Sequence, residues 1–289
     1  MSAPRTSIGQ AITDATSRLR AAGSPSPRLD AEVLLGHVLG RDRAWLIAHA
    51  TEALTDSADF DAAIDRRAAG EPVAYLRGFK EWRSLRIRTD RRALIPRPET
   101  ELLADAAFAE ITRRLASGPV VAWEVATGSG AVALAIALDH ADALRTGRLT
   151  LVASDISPGA LSLAAENLDG HPVRVTAADL LPADAGRPDV VIANLPYVSS
   201  AEVDERRGSL GFEPRVALDG GLDGLVLVRR LLAEAPSRVA DGATLLLELG
   251  AGQVEAVRDL APAGASVQVV ADLAGLDRVV RIELPTLDR

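Results

Sequence analysis

Apolar residues recur at helical spacing up to about residue 70, and from residue 120 they gather into short runs separated by helical stretches. Ser7 followed by Gln10 has the form of a capping box, and Ile8, Ile12, Ala15 and Leu19 repeat behind it. This predicts a first helix ending near Gly23. Ser26-Pro27 predicts the start of a second, running to Gly40 with Leu34, Leu35, Val38 and Leu39 on its apolar face. Segments 43–50 and 57–69 complete a small helical bundle that carries no catalytic pattern and reads as a recognition or lid domain. Residues 71–97 change period, and 73–76, 82–87 and 93–95 predict short strands or a hairpin. In Ile95-Pro96-Arg97-Pro98-Glu99-Thr100-Glu101 two prolines predict a stiff corner before a helix, displaying Arg97 and Glu99.

Strand and helix then alternate, the mark of a doubly wound parallel sheet. Strands are expected at 120–126, 149–154, 173–176, 190–193 and 243–249, with helices at 131–139, 158–168, 225–239 and 253–260. Segments 267–270 and 278–284 are expected to close the sheet as an antiparallel pair. The division that follows is a helical domain over 1–70, a strand or hairpin linker over 71–97 and an α/β domain over 98–289.

Composition narrows the chemistry. The chain of 289 residues is 48% apolar and 25% charged, ordinary for a globular protein, and has no cysteine. Without thiolates, and with its four histidines (His37, His49, His140, His171) scattered, it does not read as a metal enzyme. No apolar run approaches a membrane span and the N-terminus lacks a signal peptide's apolar centre, so a cytoplasmic location is expected. A net charge of -8 argues against an obligate nucleic-acid binder. Arg77, Lys80, Arg83, Arg86, Arg88, Arg91, Arg92 and Arg97 form a basic run that reads first as a solvated face.

The candidate chemistry lies at strand ends. Ala126-Thr127-Gly128-Ser129-Gly130 joins the first strand to its helix, where glycines let backbone approach a ligand and the helix N-terminus offers free N–H groups. Gly128, Gly130 and Ala133 also satisfy the dinucleotide pattern GxGxxA, which keeps a nicotinamide-dependent oxidoreductase open. Asp155 closes the second strand, where a carboxylate accepts ribose hydroxyls, and Asp179 with Leu180 follows the third, placed for an adenine ring. Together these positions point to an adenosine-type cofactor. After the fourth strand comes Asn194-Leu195-Pro196-Tyr197. The Asn194 side-chain oxygen and the Leu195 carbonyl can accept both hydrogens of a conjugated NH2 group while Tyr197 covers its plane, so methyl transfer needs no general base.

These residues make the chain similar to the bacterial protein-glutamine N5-methyltransferases that modify peptide chain release factors. The resemblance runs through residues 71–78, Leu94 to Glu101, the glycine loop, Asp155, the Asn194 turn, Glu213-Pro214-Arg215-Val216-Ala217-Leu218 and Leu247-Glu248-Leu249-Gly250 with Gln253. It implies a Rossmann-like seven-stranded class I methyltransferase domain preceded by a small helical substrate-docking domain and a hairpin linker. It also implies S-adenosyl-L-methionine held by Ala126 to Gly130, Asp155, Asp179, Leu180 and Asn194, with the glutamine held by Asn194, Leu195, Pro196 and Tyr197. The substrate implied is the glutamine of a release factor's Gly-Gly-Gln loop, the enzyme acting as a monomer that binds no membrane or nucleic acid. A ribosomal-protein glutamine or an adenine are the alternative acceptors, and an inactive cofactor-binding protein is the non-enzymatic one. Three positions depart from the family pattern: Ala126 stands for the usual first glycine and Glu124 for the preceding Asp, both tolerable if the backbone there has negative φ, and Leu195 for the first proline of the usual Asn-Pro-Pro-Tyr.

Overall fold

A computed structural model describes residues 6–55, 57–182, 186–206, 208–272 and 274–286. In chain order the elements are α1 (Ile8–Ala21), α2 (Pro27–Leu39), α3 (Arg43–Ala48), α4 (Ala58–Ala68), α5 (Val73–Arg77), β1 (Phe79–Trp82), β2 (Leu85–Arg88) and α6 (Thr100–Leu115). Then follow β3 (Val120–Val125), α7 (Ala131–Asp139), α8 (Ala141–Arg145), β4 (Leu149–Asp155), α9 (Pro158–Asn167), β5 (Val173–Ala177) and β6 (Val190–Ala193). The chain ends through α10 (Ser200–Glu205), α11 (Val226–Arg238), β7 (Thr244–Glu248), α12 (Val254–Leu260), β8 (Ser266–Ala271) and β9 (Asp277–Glu283). Two compact units result, one of residues up to 79 with 206–212, the other of 80–205 with residues from 213 onward.

In the first unit, Ile8, Ala15, Leu19, Leu34, Leu35, Leu46, Phe60 and Ile64 bury the helices' apolar faces in one core. Half of the expected capping box forms: Ser7 Oγ accepts from Gln10 N, while the Gln10 side chain donates to Asp14 instead of turning back. Ser26 makes no cap bond; its hydroxyl donates to Asp30, which also pairs with the buried Arg67 at 2.7 Å. Residues 73–76 are helical rather than extended. The Pro72 carbonyl accepts from both Tyr75 N and Leu76 N, and Gly78 at φ 74° stops the turn, so the caps override the strand preference of Val73 and Tyr75.

In the second unit the sheet order is β5-β4-β3-β6-β7-β9-β8, with β3 to β7 parallel and β9 antiparallel to both neighbours. This is the seven-stranded Rossmann-like sheet expected of a class I methyltransferase. Residues 93–95 form no strand; Ile95 N donates to the Glu213 carboxylate at 3.1 Å, a side chain replacing a ladder partner. The β1–β2 turn uses Arg83 and Ser84 at φ 49° and 60°, the left-handed pair a two-residue hairpin requires.

Strand periodicity sorts the sheet's two faces. Val190 and Ile192 of β6 and Leu246 of β7 join the core beneath α6 and α7, whereas Val191, Ala193, Leu245 and Leu247 join the core beneath α11 and α12. Near the amino ends of the strands, α6 is bound to the sheet by one buried carboxylate. Glu110 accepts from Arg113, Arg114, Arg281 of β9 and the Thr244 hydroxyl of β7. Burial pushes its carboxyl upward, but those four hydrogen bonds outweigh burial and hold it down at about 2. A group depressed in this way adds stability fully present above its unfolded value near 4.5 and lost as pH falls through about 2. We expect Glu110→Gln to lower urea stability by about 2 kcal/mol at neutral pH, because it takes the buried carboxylate charge away from Arg113, Arg114 and Arg281, of which Arg281 keeps Glu283. The variant and native curves should converge in strong acid; a gap that persists there would show that packing, not charge, is responsible.

Candidate active site

The carboxyl ends of β3, β4, β5 and β6 open on one cavity of about 590 Å³. Ala126, Thr127, Gly128, Ser129, Asp155, Asp179, Leu180, Asn194, Leu195 and Pro196 all line it. Gly130 and Tyr197 do not. A Cβ on Gly130 would sit 3.2 Å from Ala164 and 3.3 Å from Leu168, so this glycine serves the packing of α7 against α9, not a ligand. A Cβ on Gly128, by contrast, would meet open space, and its φ of 56° leaves the backbone free to face the cavity.

Asp155 is buried and its two oxygens accept from Gly128 N and Ser157 N, each at 2.9 Å. The carboxylate thus holds the glycine loop and starts the turn into α9 at once. Burial raises its proton affinity, tempered by the N–H groups of Ser157, Gly128 and Ile156. Each oxygen keeps a further lone pair for a ligand hydroxyl. Beneath the loop, the buried Glu124 accepts from the Thr127 hydroxyl at 2.6 Å and from Ala133 N at 3.0 Å, and burial pushes its carboxyl up to about 8. Asp179 sits at the rim in an exposed ion pair with Arg230, 2.9 Å long, and Leu180 is buried at φ 58°.

The turn after β6 is seated among glycines. A Cβ on Gly220 would lie 2.5 Å from the Pro196 carbonyl, one on Gly224 2.2 Å from the Tyr197 carbonyl, and one on Gly250 3.0 Å from the Tyr197 ring. Gln253 completes the seat: its Nε2 donates to the Tyr197 carbonyl and its Oε1 accepts from Gly250 N, both at 3.0 Å. The Tyr197 ring lies against Gly250. Asn194 donates through Nδ2 to the hydroxyl of Thr100, the first residue of α6. The corner before that helix is pinned by Glu213, fully buried, which pairs with Arg97 at 2.5 Å and accepts from Ile95 N, while Trp82 Nε1 donates to the Arg97 carbonyl.

Sequence reasoning did not assign roles to Thr100, Glu124, Glu213, Glu248 or Gln253. A signal was present for two of them: an acidic residue interrupts or ends a run of apolar residues near the carboxyl end of Val120–Val125 and of Thr244–Glu248. Among the described residues no cluster could hold a metal ion and no helix is long and apolar enough to cross a membrane.

Residues 10–78 match the family described as PrmC N-terminal domain. The release factor glutamine methyltransferase of Deinococcus radiodurans is 39% identical over 277 residues, spanning 93% of this chain and 96% of that protein. The chain belongs to the release factor glutamine methyltransferase family. The Moorella thermoacetica member of this family is 40% identical over 284 residues, 94% of this chain and 96% of its own. A solved structure, the release factor-specific protein-(glutamine-N5) methyltransferase from Alicyclobacillus acidocaldarius, is 27% identical across 66% of this chain and 94% of that one, with a TM-score of 0.38. Membership in a methyltransferase family removes the nicotinamide oxidoreductase.

For a member of this family, Ala126 is the unusual residue of the loop. Its φ is 54°, so the tolerance expected from a negative φ does not hold, and the left-handed geometry is kept although a side chain is present. Thr127 N, bonded to the Ser154 carbonyl at 2.9 Å, holds the conformation from the next residue. We expect Ala126→Gly to raise stability by about 0.5 kcal/mol, about 1–2 of relieved strain less about 0.5–1 of added chain entropy. Ala126→Val should lower it, since a β-branched residue tolerates this region worst. Urea midpoints of the two variants test this, and destabilisation by both would remove the strain argument.

Proposed function

We propose that the cavity binds S-adenosyl-L-methionine and that the enzyme methylates the side-chain N5 of the glutamine in the Gly-Gly-Gln loop of peptide chain release factors. The methyl–sulfonium bond breaks as the N–CH3 bond forms, and the products are N5-methylglutamine, S-adenosylhomocysteine and the displaced amide proton, which passes to solvent. The observation that carries this reading is the convergence of Asn194, the glycine loop and Asp155 on one cavity in a member of this family. The donor set suits the ligand: Asp155 keeps lone pairs for ribose hydroxyls, Gly128 leaves backbone room, and buried Leu180 offers an apolar edge for the adenine. Asp179 reaches the adenine amine only by sharing its carboxylate with Arg230.

Bound S-adenosyl-L-methionine supplies an activated methyl group. The protein's own task is to hold a weak nucleophile, because the amide nitrogen's lone pair is delocalised into its carbonyl. Asn194 Oδ1 and the Leu195 carbonyl accept the two amide hydrogens and fix the nitrogen's direction. Leu195 supplies that carbonyl from its backbone, so the loss of proline there removes only a restraint on Asn194. Thr100 and the glycine seat restore it. Tyr197, whose ring lies against Gly250 and whose carbonyl is held by Gln253, acts by fixing the turn more than by covering the substrate. The helices over 1–70 are assigned to docking the release factor, with the enzyme working as a cytoplasmic monomer.

Transfer of labelled methyl to an unmodified release factor, and to the same factor with its loop glutamine changed to alanine, tests the assignment. Label is expected only in the first; equal labelling of both would refute the acceptor. Asn194→Ala should abolish transfer while cofactor affinity stays within about tenfold, since the other contacts remain. An active Asn194→Ala enzyme would refute the clamp.

A further inference from the structure

A clamp made by one amide side chain works only if the amide points the right way round. Rotated by half a turn, Asn194 would offer its NH2 to the substrate's NH2, two donors facing each other, and the amide would not be held. The two ends of an asparagine are nearly the same size, so packing cannot select between them. Hydrogen bonds from behind must do so.

The residues behind Asn194 are set by strand register. Ile192 pairs with Leu246 and Ala193 with Leu247, so one further step brings Asn194 alongside Glu248 at the end of β7. The two-residue period puts both on the face beneath α6, where Thr100 begins that helix. Thr100 Oγ1 already takes one hydrogen from Asn194 Nδ2 at 3.2 Å. Glu248 is 3% exposed, and its Oε2 is buried with no hydrogen-bond partner. A buried acceptor left open beside a donor with a second hydrogen to give is otherwise a costly arrangement.

We propose that Glu248 is a positioning residue for the methyl-transfer clamp: with Thr100 it accepts the NH2 end of Asn194 and so turns Oδ1 toward the cavity. The inference rests on the glutamine-clamp reading above. The groups around Glu248 are consistent with a carboxylate that ionises near neutrality. Burial pushes it up to about 7, the Thr100 and Asn194 side chains and Arg278 of β9 pull it down, and Glu99 adds to the rise; Tyr197 feels its charge in turn. Ionised, the carboxylate is acceptor-only and selects one amide orientation; protonated, it can also donate and the selection weakens.

Glu248→Met keeps the volume and removes the acceptor, and Glu248→Gln restores one acceptor oxygen. Neither should unfold the protein, because both delete a carboxyl whose ionisation burial opposes. For methylation of an unmodified release factor above pH 7, kcat is expected to fall about tenfold in Glu248→Met and less in Glu248→Gln, with KM and cofactor affinity within about twofold. The rise of native kcat with pH through about 7 should flatten in both variants, leaving only what Glu124, at about 8, contributes. Independently of turnover, the Asn194 side-chain amide resonances should titrate near 7 in the native enzyme and not in Glu248→Met. Native kcat and native resonances in Glu248→Met would overturn the role of Glu248. A native enzyme that leaves release factors unmethylated, yet shows the Asn194 titration, would overturn the acceptor and keep the orientation.

Discussion

The backbone after β6 runs through a space that admits no side chain beside it. Gly220 and Gly224 from the loop before α11 and Gly250 from the turn after β7 would each drive a Cβ against the 196–197 backbone or the Tyr197 ring if it carried one. The rest of the catalytic unit is arranged so that this close approach can be made: β6 is central between β3 and β7, and its four residues are wholly buried. Such a seat fixes carbonyl directions without any special residue in the turn itself. A reaction whose protein contribution is orientation depends on that kind of fixing more than on a titrating group.

The same face of the sheet carries polar groups at both ends and apolar residues between them. At the amino ends, Thr244 meets Glu110 and its arginines; at the carboxyl ends, Glu124, Asn194 and Glu248 face the glycine loop and the start of α6. Helix α6 spans both, so a single helix is fastened at one end by a low-lying carboxylate and bears Thr100 on the site at the other. The chemical contrast is large. Glu110 is surrounded by cations and ionised throughout, whereas Glu124 and Glu248 are held near neutrality by burial. Charged anchoring lies where the ligand is absent, and groups able to change protonation lie where it is expected.

Much of this was legible in the chain. The central strands stood out because buried parallel strands are continuous apolar runs, and the strand-end residues followed from where such a sheet presents its ligands. What escaped was decided by distant partners. Residues 93–95 have strand composition, yet Ile95 N finds the Glu213 carboxylate, 118 positions away. Gly128 and Gly130 look equivalent in a motif, but only the structure separates a glycine facing a cavity from one facing Ala164. Segment 73–77 was lost to local preference, since Pro72 and Gly78 frame a single helical turn too short to show a period.

Two of the departures from the family pattern, Ala126 and Leu195, have a common physical character. Each replaces a residue whose own covalent structure favours the required backbone: a glycine for positive φ, and a proline for the extended conformation of the residue before it. In both cases the conformation persists because neighbours impose it, Ser154 through Thr127 N at the loop and Thr100 with the glycine seat at the turn. Local stiffness has been exchanged for tertiary restraint. The exchange has a direction of risk: a loop held by its own residues survives loosening of the sheet, whereas one held by its neighbours does not. In this protein, then, the geometry of the clamp is coupled to the packing of α6 and β7 more tightly than a proline-stiffened turn would require.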